Sequence, residues 1–183
     1  WMIEINIKKI VESLIDTFLE AGKISLELRK KGLIKKIKSD NTPVSNGDLE
    51  VNKIITQKIS KLTPTIPIIS EETSENKFNN DLNNFWLIDP IDGTYDYIND
   101  LDQFTINAGL ILYKKPAAGL IYAPAKNRMF YSYGNNSSFE LINGKQVKLG
   151  QSNNFNKDEI KFVSYSNKLK PEIETIHKKL NVK

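Results

Sequence analysis

Apolar residues recur at intervals of three and four positions in two stretches of the first third of this 183-residue chain. The spacing predicts an amphipathic helix over residues 3–29 and a second over about 48–62. The buried face of the first is predicted to consist of Ile7, Val11, Leu14, Phe18, Ala21 and Leu28. That of the second is predicted to consist of Val51, Ile54, Ile55, Ile59 and Leu62. Between the helices, "RKKGLIKKIKSDN" predicts a loop or hairpin and "TPVSNGD" a turn.

Shorter apolar runs follow and predict strands. "IPIIS" (66–70) and "FWLID" (85–89) are typical of buried strands, and the polar segment 74–84 between them predicts a loop. From residue 104 the apolar period becomes two, which predicts an antiparallel meander with an Asn-Gly hairpin turn at 143–144. One more strand is predicted at 160–165, and a last helix, opened by a proline, at 171–180.

The order of these elements is helix, helix, strand, strand, helix, meander, strand, helix. It favours an α/β (α+β) protein with helices packed in layers on a mostly antiparallel sheet. Neither an internal repeat nor a clear linker divides the chain, so a single domain is expected over residues 1–183. The last predicted helix ends almost at the last residue, and no further element covers the strand at 160–165. The C-terminal layer is therefore predicted to be incomplete.

The chain contains no cysteine and a single histidine, His177. This composition excludes disulfides, cysteine-based zinc sites and a cysteine nucleophile, and a Ser-His-Asp triad would have to use His177. Acid–base or metal chemistry therefore depends mainly on carboxylates and hydroxyls. Oxygen ligands favour hard cations, Mg²⁺ foremost.

The net charge is +4, from 26 basic and 22 acidic residues. It indicates a solvated lysine-rich surface, with the steering of anionic ligands as the alternative. The basic residues form no stripe interleaved with aromatic residues, so no nucleic-acid partner is expected. A nucleic-acid binder that uses the basic stretch 29–38 is an alternative supported by charge alone. No apolar run is long enough to span a bilayer, and acidic residues within the first apolar segment argue against a signal peptide. We expect a cytoplasmic protein.

Acidic side chains follow both predicted buried strands in the first half of the chain. Glu71 and Glu72 come after "IPIIS", and Asp89 and Asp92 come at the end of "FWLI". If the two strands are neighbours, these carboxylates meet at one edge of the sheet, where their like charges destabilise the fold unless a cation lies between them. Each segment alone is more typical of a solvated turn, but together they favour a metal site.

The sequence "DPIDGT" adds a second kind of binding group to this edge. The backbone carbonyl of Ile91 lies between the two aspartates and offers one more oxygen ligand. Gly93 permits close approach of the backbone, and the amides of Gly93 and Thr94 open a predicted helix, where phosphate binds readily. The alternative is a turn with a capping aspartate. A cation cluster beside a phosphate cradle is the equipment for metal-assisted hydrolysis of phosphate esters.

These motifs have a known counterpart. "PVSNGDLEVNKII", "PIISEE" and "WLIDPIDGTYDYIN" resemble, in order and spacing, the motifs of the inositol monophosphatase superfamily. The segment "FTINAGLILYKKPAAGLIYAPAKNRMFYS" is most similar to the branch of 3′(2′),5′-bisphosphate nucleotidases. The resemblance covers essentially the whole chain. It implies a layered α/β/α/β sugar-phosphatase-like fold and a Mg²⁺-dependent, lithium-sensitive phosphomonoesterase.

The resemblance also implies a set of metal ligands. Glu71, Asp89 and the Ile91 carbonyl would hold one Mg²⁺, and Asp89 and Asp92 would share in holding a second. Glu72 matches a position near a third, more weakly bound ion. The family's further aspartate ligand, in a W-D-x-A-type segment, has no match here, so the resemblance implies a chain truncated at its C-terminus, with a natural short form as the alternative.

Catalytic and substrate-binding roles follow from the same resemblance. Thr94, hydrogen-bonded to Asp48, would help to activate the attacking water alongside Glu71. Lys38 falls where the family often has a mobile active-site lysine. The residues implied to bind the substrate are Glu71, Ile91, Asp92, Gly93 and Thr94.

Three segments depart from the family pattern and keep alternatives open. The family's T-x-A-D is Ser-Asn-Gly-Asp at 45–48, its Lys-Glu-Phe is Tyr-Asp-Tyr at 95–97, and Ser-Arg-Ser-His is "SYSN" at 164–167. The leading hypothesis is hydrolysis of 3′-phosphoadenosine 5′-phosphate to AMP and phosphate. The alternatives are an inositol-phosphate or sugar-phosphate phosphatase, and a non-catalytic member that binds phosphorylated ligands or dimerises with a partner. Relatives are commonly dimers, so a homodimer is expected.

Overall fold

The structure is a computed structural model that describes residues 6–73, 82–150 and 169–180. The chain forms two compact units, residues 1–149 and 150–183. The single domain expected over residues 1–183 stays a prediction.

Two long helices, α1 (Ile7–Lys31) and α2 (Asn46–Leu62), form one layer of the first unit. Both begin at a polar cap: the Asn6 side chain accepts a hydrogen bond from the Lys9 amide, and Ser45 caps α2. The predicted apolar faces are confirmed at the positions that the structure buries completely. These are Val11, Leu14, Phe18 and Ala21 on α1, and Val51, Ile55 and Ile59 on α2.

The segment between the helices is a hairpin. Strands β1 (Lys35–Ile37) and β2 (Pro43–Ser45) pair antiparallel as a separate two-stranded sheet. The predicted turn "TPVSNGD" is wrong, because Pro43–Ser45 is extended and residues 46–48 already form the first turn of α2. The pairing of Val44 with Lys36 gives this segment an extended partner, which the local sequence does not reveal.

Among the described residues, seven strands form one sheet in the order of the chain, with β3 and β4 parallel and every other neighbouring pair antiparallel. The mostly antiparallel sheet and the α/β (α+β) class are therefore confirmed. The strands are β3 (Ile68–Ser70), β4 (Phe85–Asp92), β5 (Thr105–Leu112), β6 (Lys115–Ala123), β7 (Arg128–Ser132), β8 (Ser138–Ile142) and β9 (Lys145–Lys148). A short helix, α3 (Thr94–Ile98), follows β4, and a 3₁₀ turn (Pro124–Lys126) joins β6 to β7.

The core lies between the helix layer and one face of this sheet. Alternate residues of β4, β5 and β6, such as Trp86, Ile106 and Leu120, are fully buried against α1 and α2. The other face of the sheet is more open: Leu87 is 53% and Ile121 is 48% exposed. Asp89 of β4 and Asn107 of β5 are paired residues of the antiparallel strands, and both lie on this open face.

Strand β4 does not end at Asp89, as the sequence pattern predicted, but continues to Asp92. Asp89 pairs with Asn107 and Asp92 with Thr105, so β4 carries one residue more than β5 between these points. This is a β-bulge, and it accommodates Pro90, which has no amide hydrogen to give to the ladder. Because the extra residue shifts the alternation by one, Asp92 lies on the same face of the sheet as Asp89.

The second unit is described at Gly150 and over residues 169–180. Helix α4 (Pro171–Leu180) confirms the predicted last helix, with acidic residues in its first turn and basic residues in its last. Such charges complement the helix dipole. The predicted strand at 160–165, the segment 164–167 and most of the predicted loop at 74–84 lie outside the described residues. Over the three described ranges, no helix combines the length and the apolar character needed to cross a membrane.

Candidate active site

The parallel pairing of β3 with β4 brings the predicted acidic segments to one edge of the sheet. Ser70 pairs with Ile88, and the Glu71 amide donates a hydrogen bond to the Ile88 carbonyl at 3.1 Å. Glu71 therefore follows β3 alongside Asp89 of β4. The bulge then adds Asp92 on the same face. The sequence analysis assumed that these two strands are neighbours, and the structure confirms it.

Among the carboxyl groups at this edge of the sheet, Asp89 has the largest shift in pKa. Its pKa rises from 3.8 to about 7, first because the carboxyl is buried and then because Glu71 and Asp92 place negative charges beside it. One of its oxygens, Oδ1, is buried and has no hydrogen-bond partner. Buried acceptors normally have a partner, so this one indicates a place for a donor or a cation.

Lys38, from the loop between β1 and β2, reaches the two glutamates. Its Nζ lies 3.1 Å from Glu71 Oε1 and 2.6 Å from Glu72 Oε1. Burial works to lower the pKa of Lys38, but the hydrogen bonds to the two carboxylates outweigh it and the pKa is raised. Burial raises the pKa of Glu72, and Lys38 opposes that shift. The ammonium group thus offsets part of the negative charge of the two glutamates from the hairpin side.

A buried hydrogen-bond network supports the start of α3. Asp48 is 1% exposed, and its Oδ2 accepts hydrogen bonds from the Ser45 amide at 2.8 Å and the Ser45 hydroxyl at 2.6 Å. The Thr94 hydroxyl lies 3.1 Å from Asp48 Oδ1 and 3.0 Å from the Ile91 carbonyl oxygen. Thr94 has one hydroxyl hydrogen for these two acceptors. If the Ile91 carbonyl binds a cation, that hydrogen remains for Asp48.

Gly93 is required by the turn between β4 and α3. Its φ of 91° lies in the left-handed region, and a Cβ at this position would come within 2.7 Å of the Gln103 carbonyl oxygen. A side chain would therefore both strain the backbone and collide with the chain after α3. The glycine holds Asp92 and Thr94 close to that segment.

The donor set fits a hard cation, although the carboxylates do not form a closed cage. Within the part of the chain that the structure describes, no three acidic or histidine side chains lie close enough to count as a metal-binding group. Asp89 and Glu71 nevertheless face each other as carboxylates, and Asp89 Oδ1 lacks a partner. A hard divalent cation would satisfy that oxygen and offset the repulsion.

The structure adds residues to the site that the sequence analysis did not name. Ser45 holds Asp48 through two hydrogen bonds, and the Ser70 hydroxyl donates to Asn52 Oδ1 at 2.6 Å just before the glutamates. Asn107 Nδ2 donates to Asp92 Oδ2 at 3.1 Å. The capping pattern S-x-x-D could have revealed Ser45. A polar residue on an apolar strand was the signal for Asn107.

Comparison with known proteins gives the family of this chain. A sequence profile of the Inositol monophosphatase family matches residues 6–183. The chain belongs to the inositol monophosphatase family. The resemblance seen in its motifs is thereby confirmed.

Curated relatives of this inositol monophosphatase family protein are named 3′(2′),5′-bisphosphate nucleotidase CysQ. The protein from Aggregatibacter actinomycetemcomitans is 32% identical over 76% of this chain and 53% of its own length. The protein from Buchnera aphidicola is 34% identical over 78% of this chain and 55% of its own length. The chain thus spans about half the length of the curated relatives it matches.

Solved structures support the family fold independently. An IMPase/NADP phosphatase in complex with Mg²⁺ and phosphate matches with a TM-score of 0.64. The match covers 74% of this chain and 52% of that protein, at 20% sequence identity. At this identity the likeness establishes the fold of the inositol monophosphatase family.

Proposed function

We propose that this chain carries the catalytic edge of a Mg²⁺-dependent phosphomonoesterase that hydrolyses 3′-phosphoadenosine 5′-phosphate to AMP and phosphate. The observation that carries the proposal is the meeting of Asp89, with its buried and unpartnered Oδ1, and Glu71 beside the Thr94–Asp48 pair. The names of the curated relatives support the nucleotidase assignment. The Mg²⁺ and phosphate bound by a protein of the same fold support the cofactor.

In this proposal Glu71, Asp89, Asp92 and the Ile91 carbonyl hold the cations. Bound Mg²⁺ would lower the pKa of a water molecule and offset the charge of the phosphate. Thr94 gives its hydroxyl hydrogen to Asp48, which leaves the Thr94 oxygen free to accept a hydrogen bond from the attacking water.

The start of α3 and the neighbouring residues orient the substrate and the attacking water. The backbone amides of Gly93 and Thr94 bind the phosphate to be cleaved, and Glu71 takes part in accepting the proton from the water. Ser45 and Asp48 fix the Thr94 hydroxyl from the buried side.

A second candidate function is the hydrolysis of an inositol or sugar phosphate. It is favoured by Tyr95, Asp96 and Tyr97, which stand where the nucleotidases usually have Lys-Glu-Phe. Tyr95 is 66% exposed one residue after Thr94, and it replaces a cation of that pattern by a neutral ring. A substrate with a single phosphate has less need of that cation.

A substrate panel tests both candidates. We expect Mg²⁺-dependent phosphate release from 3′-phosphoadenosine 5′-phosphate to exceed release from inositol 1-phosphate. Thr94→Val, which removes only the hydroxyl, should lower turnover on the order of 10²-fold or more because the water loses its orienting group. Preference for inositol 1-phosphate would select the second candidate, and no release from either substrate would reject both.

Lys38 gives a separate prediction about the metal-free protein. In Lys38→Met the Glu72 carboxylate, 5% exposed, loses its 2.6 Å partner, which should cost about 1–3 kcal/mol of stability. Added Mg²⁺ should then raise the melting temperature by more than in wild type, because no ammonium group has to be displaced from Glu71. The measurement is thermal unfolding with and without Mg²⁺. Lys36→Met, an exposed lysine of the same hairpin, is the control, and equal shifts in both variants would contradict the prediction.

A further inference from the structure

Asn107 occupies a position on β5 that places it against both aspartates of the site. It is the ladder partner of Asp89 in the antiparallel pair of β4 and β5, where facing side chains lie about 4.5–5.5 Å apart at Cβ. Its Nδ2 also donates a 3.1 Å hydrogen bond to Asp92 Oδ2, beyond the bulge. One amide side chain therefore contacts Asp92 directly and lies opposite Asp89 in the sheet.

The orientation of the Asn107 amide follows from that hydrogen bond. A carboxylate oxygen accepts hydrogen bonds, so the nitrogen of the amide faces Asp92 and Oδ1 faces away from it. This Oδ1 is buried and has no hydrogen-bond partner. The amide cannot turn over to satisfy it without losing the bond to Asp92.

The unpartnered oxygens of Asn107 and Asp89 belong to ladder partners on the same face of the sheet. Both are acceptors, so neither can satisfy the other. Leaving a buried acceptor unpaired is unfavourable. Two neighbouring acceptors of this kind favour a common partner that is positive.

We propose that Asn107 supplies an uncharged oxygen, Oδ1, to the cation site formed around Asp89, a role that rests on the proposed metal-dependent function. Amide oxygens are regular ligands of hard cations. The same side chain holds Asp92 in position through Nδ2. Asn107 thus gives the site an additional oxygen without adding to the repulsion between the carboxylates.

Two substitutions separate this role from a purely structural one. Asn107→Ala removes both the oxygen and the amide donor, and the dissociation constant for Mg²⁺ should rise about tenfold. Asn107→Asp keeps an oxygen and adds a negative charge but loses the donor to Asp92. It should lower the melting temperature of the metal-free protein, because Asp89 and Asp92 repel it, and bind Mg²⁺ at least as tightly as wild type.

The experiment is calorimetric titration of the full chain with MgCl₂, together with thermal unfolding of the metal-free protein. Ile121→Ala is the matched control, because Ile121 is the partner of Asn107 on β6 and is 48% exposed. Equal loss of Mg²⁺ affinity in both Asn107 variants would show that only the bond to Asp92 matters, and unchanged affinity would exclude any role. Either result overturns the proposal while the metal-dependent function stands. If wild type itself does not bind Mg²⁺, both proposals fail. Should Asn107→Ala not fold, Asn107→Asp decides alone.

Discussion

Asp89→Asn should remove catalysis and at the same time stabilise the metal-free protein. Asp89 is a shared ligand in the proposed site, and metal stabilisation of the reacting charges contributes several kcal/mol. At 1.36 kcal/mol for each tenfold change in rate, turnover should fall on the order of 10³-fold or more. In the metal-free protein the carboxylate is buried next to the charges of Glu71 and Asp92, which raise its pKa. An asparagine amide removes that repulsion and can donate a hydrogen bond to Glu71.

The opposite signs of the two effects distinguish a metal ligand from a residue that merely supports the fold. At pH 8 we expect a gain on the order of 1 kcal/mol in the metal-free protein, as for other relieved charge clusters. The increase of melting temperature that Mg²⁺ causes in wild type should disappear. Asp16→Asn, the same chemical change at an exposed position of α1, should alter neither quantity.

Phosphate release, thermal unfolding and Mg²⁺ titration on the same two variants give the result. A lower melting temperature of metal-free Asp89→Asn would mean that the aspartate supports the fold. A Mg²⁺-induced shift equal to that of wild type would mean that the cation binds elsewhere.

The sequence alone predicted those parts of the fold that depend on local pattern. Apolar spacing located α1 and α2 to within a few residues, because a helix buries one stripe regardless of what covers it. The alternation after residue 104 located the meander because successive side chains of a strand point to opposite faces of the sheet. The Asn-Gly turn was found because that dipeptide fits the tight turn of a hairpin. At the site, Asp89, Ile91 and Asp92 were found together because they are neighbours in the chain.

Contacts between distant segments could not be read from the pattern. Lys38 meets Glu72 across 34 positions of the sequence, and only the hairpin of β1 and β2 brings them together. The bulge in β4 depends on the register in which β4 pairs with β5. The sequence of β4 alone does not determine that register. Asn107 was visible as a polar residue in a strand, but its position opposite Asp89 requires that same register.

Two departures from the family pattern, at 45–48 and at 95–97, have a common physical explanation. The family's alanine in T-x-A-D is Gly47 here, and its phenylalanine after the D-G-T motif is Tyr97. Tyr97 is fully buried, and its hydroxyl donates a 2.7 Å hydrogen bond to the Ser25 carbonyl of α1. A Cβ at Gly47 would overlap with that hydroxyl and lie 2.6 Å from the ring atom Cε1. The glycine therefore makes room for the tyrosine.

Of the two single variants, Gly47→Ala should lower the free energy of unfolding more than Tyr97→Phe. Gly47→Ala gains about 0.5–1 kcal/mol of helix propensity in α2. The overlap with a ring that is tied to Ser25 should cost more, about 1–3 kcal/mol net. Because Gly47 precedes Asp48 and α3 carries both Thr94 and Tyr97, relief of the overlap should also lengthen the contact between Asp48 and Thr94 and lower turnover.

A double-mutant cycle separates this explanation from two independent losses. Tyr97→Phe alone should cost about 1 kcal/mol for the hydrogen bond to Ser25. The double variant Gly47→Ala/Tyr97→Phe should be more stable than the sum of the single changes by about 1 kcal/mol or more, since a ring without the hydroxyl is free to move away from the new methyl group. Urea unfolding of the four proteins gives the coupling energy. Strict additivity would show that Gly47 and Tyr97 do not interact, which would contradict this explanation. A positive coupling that also restores phosphate release would show that the pair positions Thr94 against Asp48.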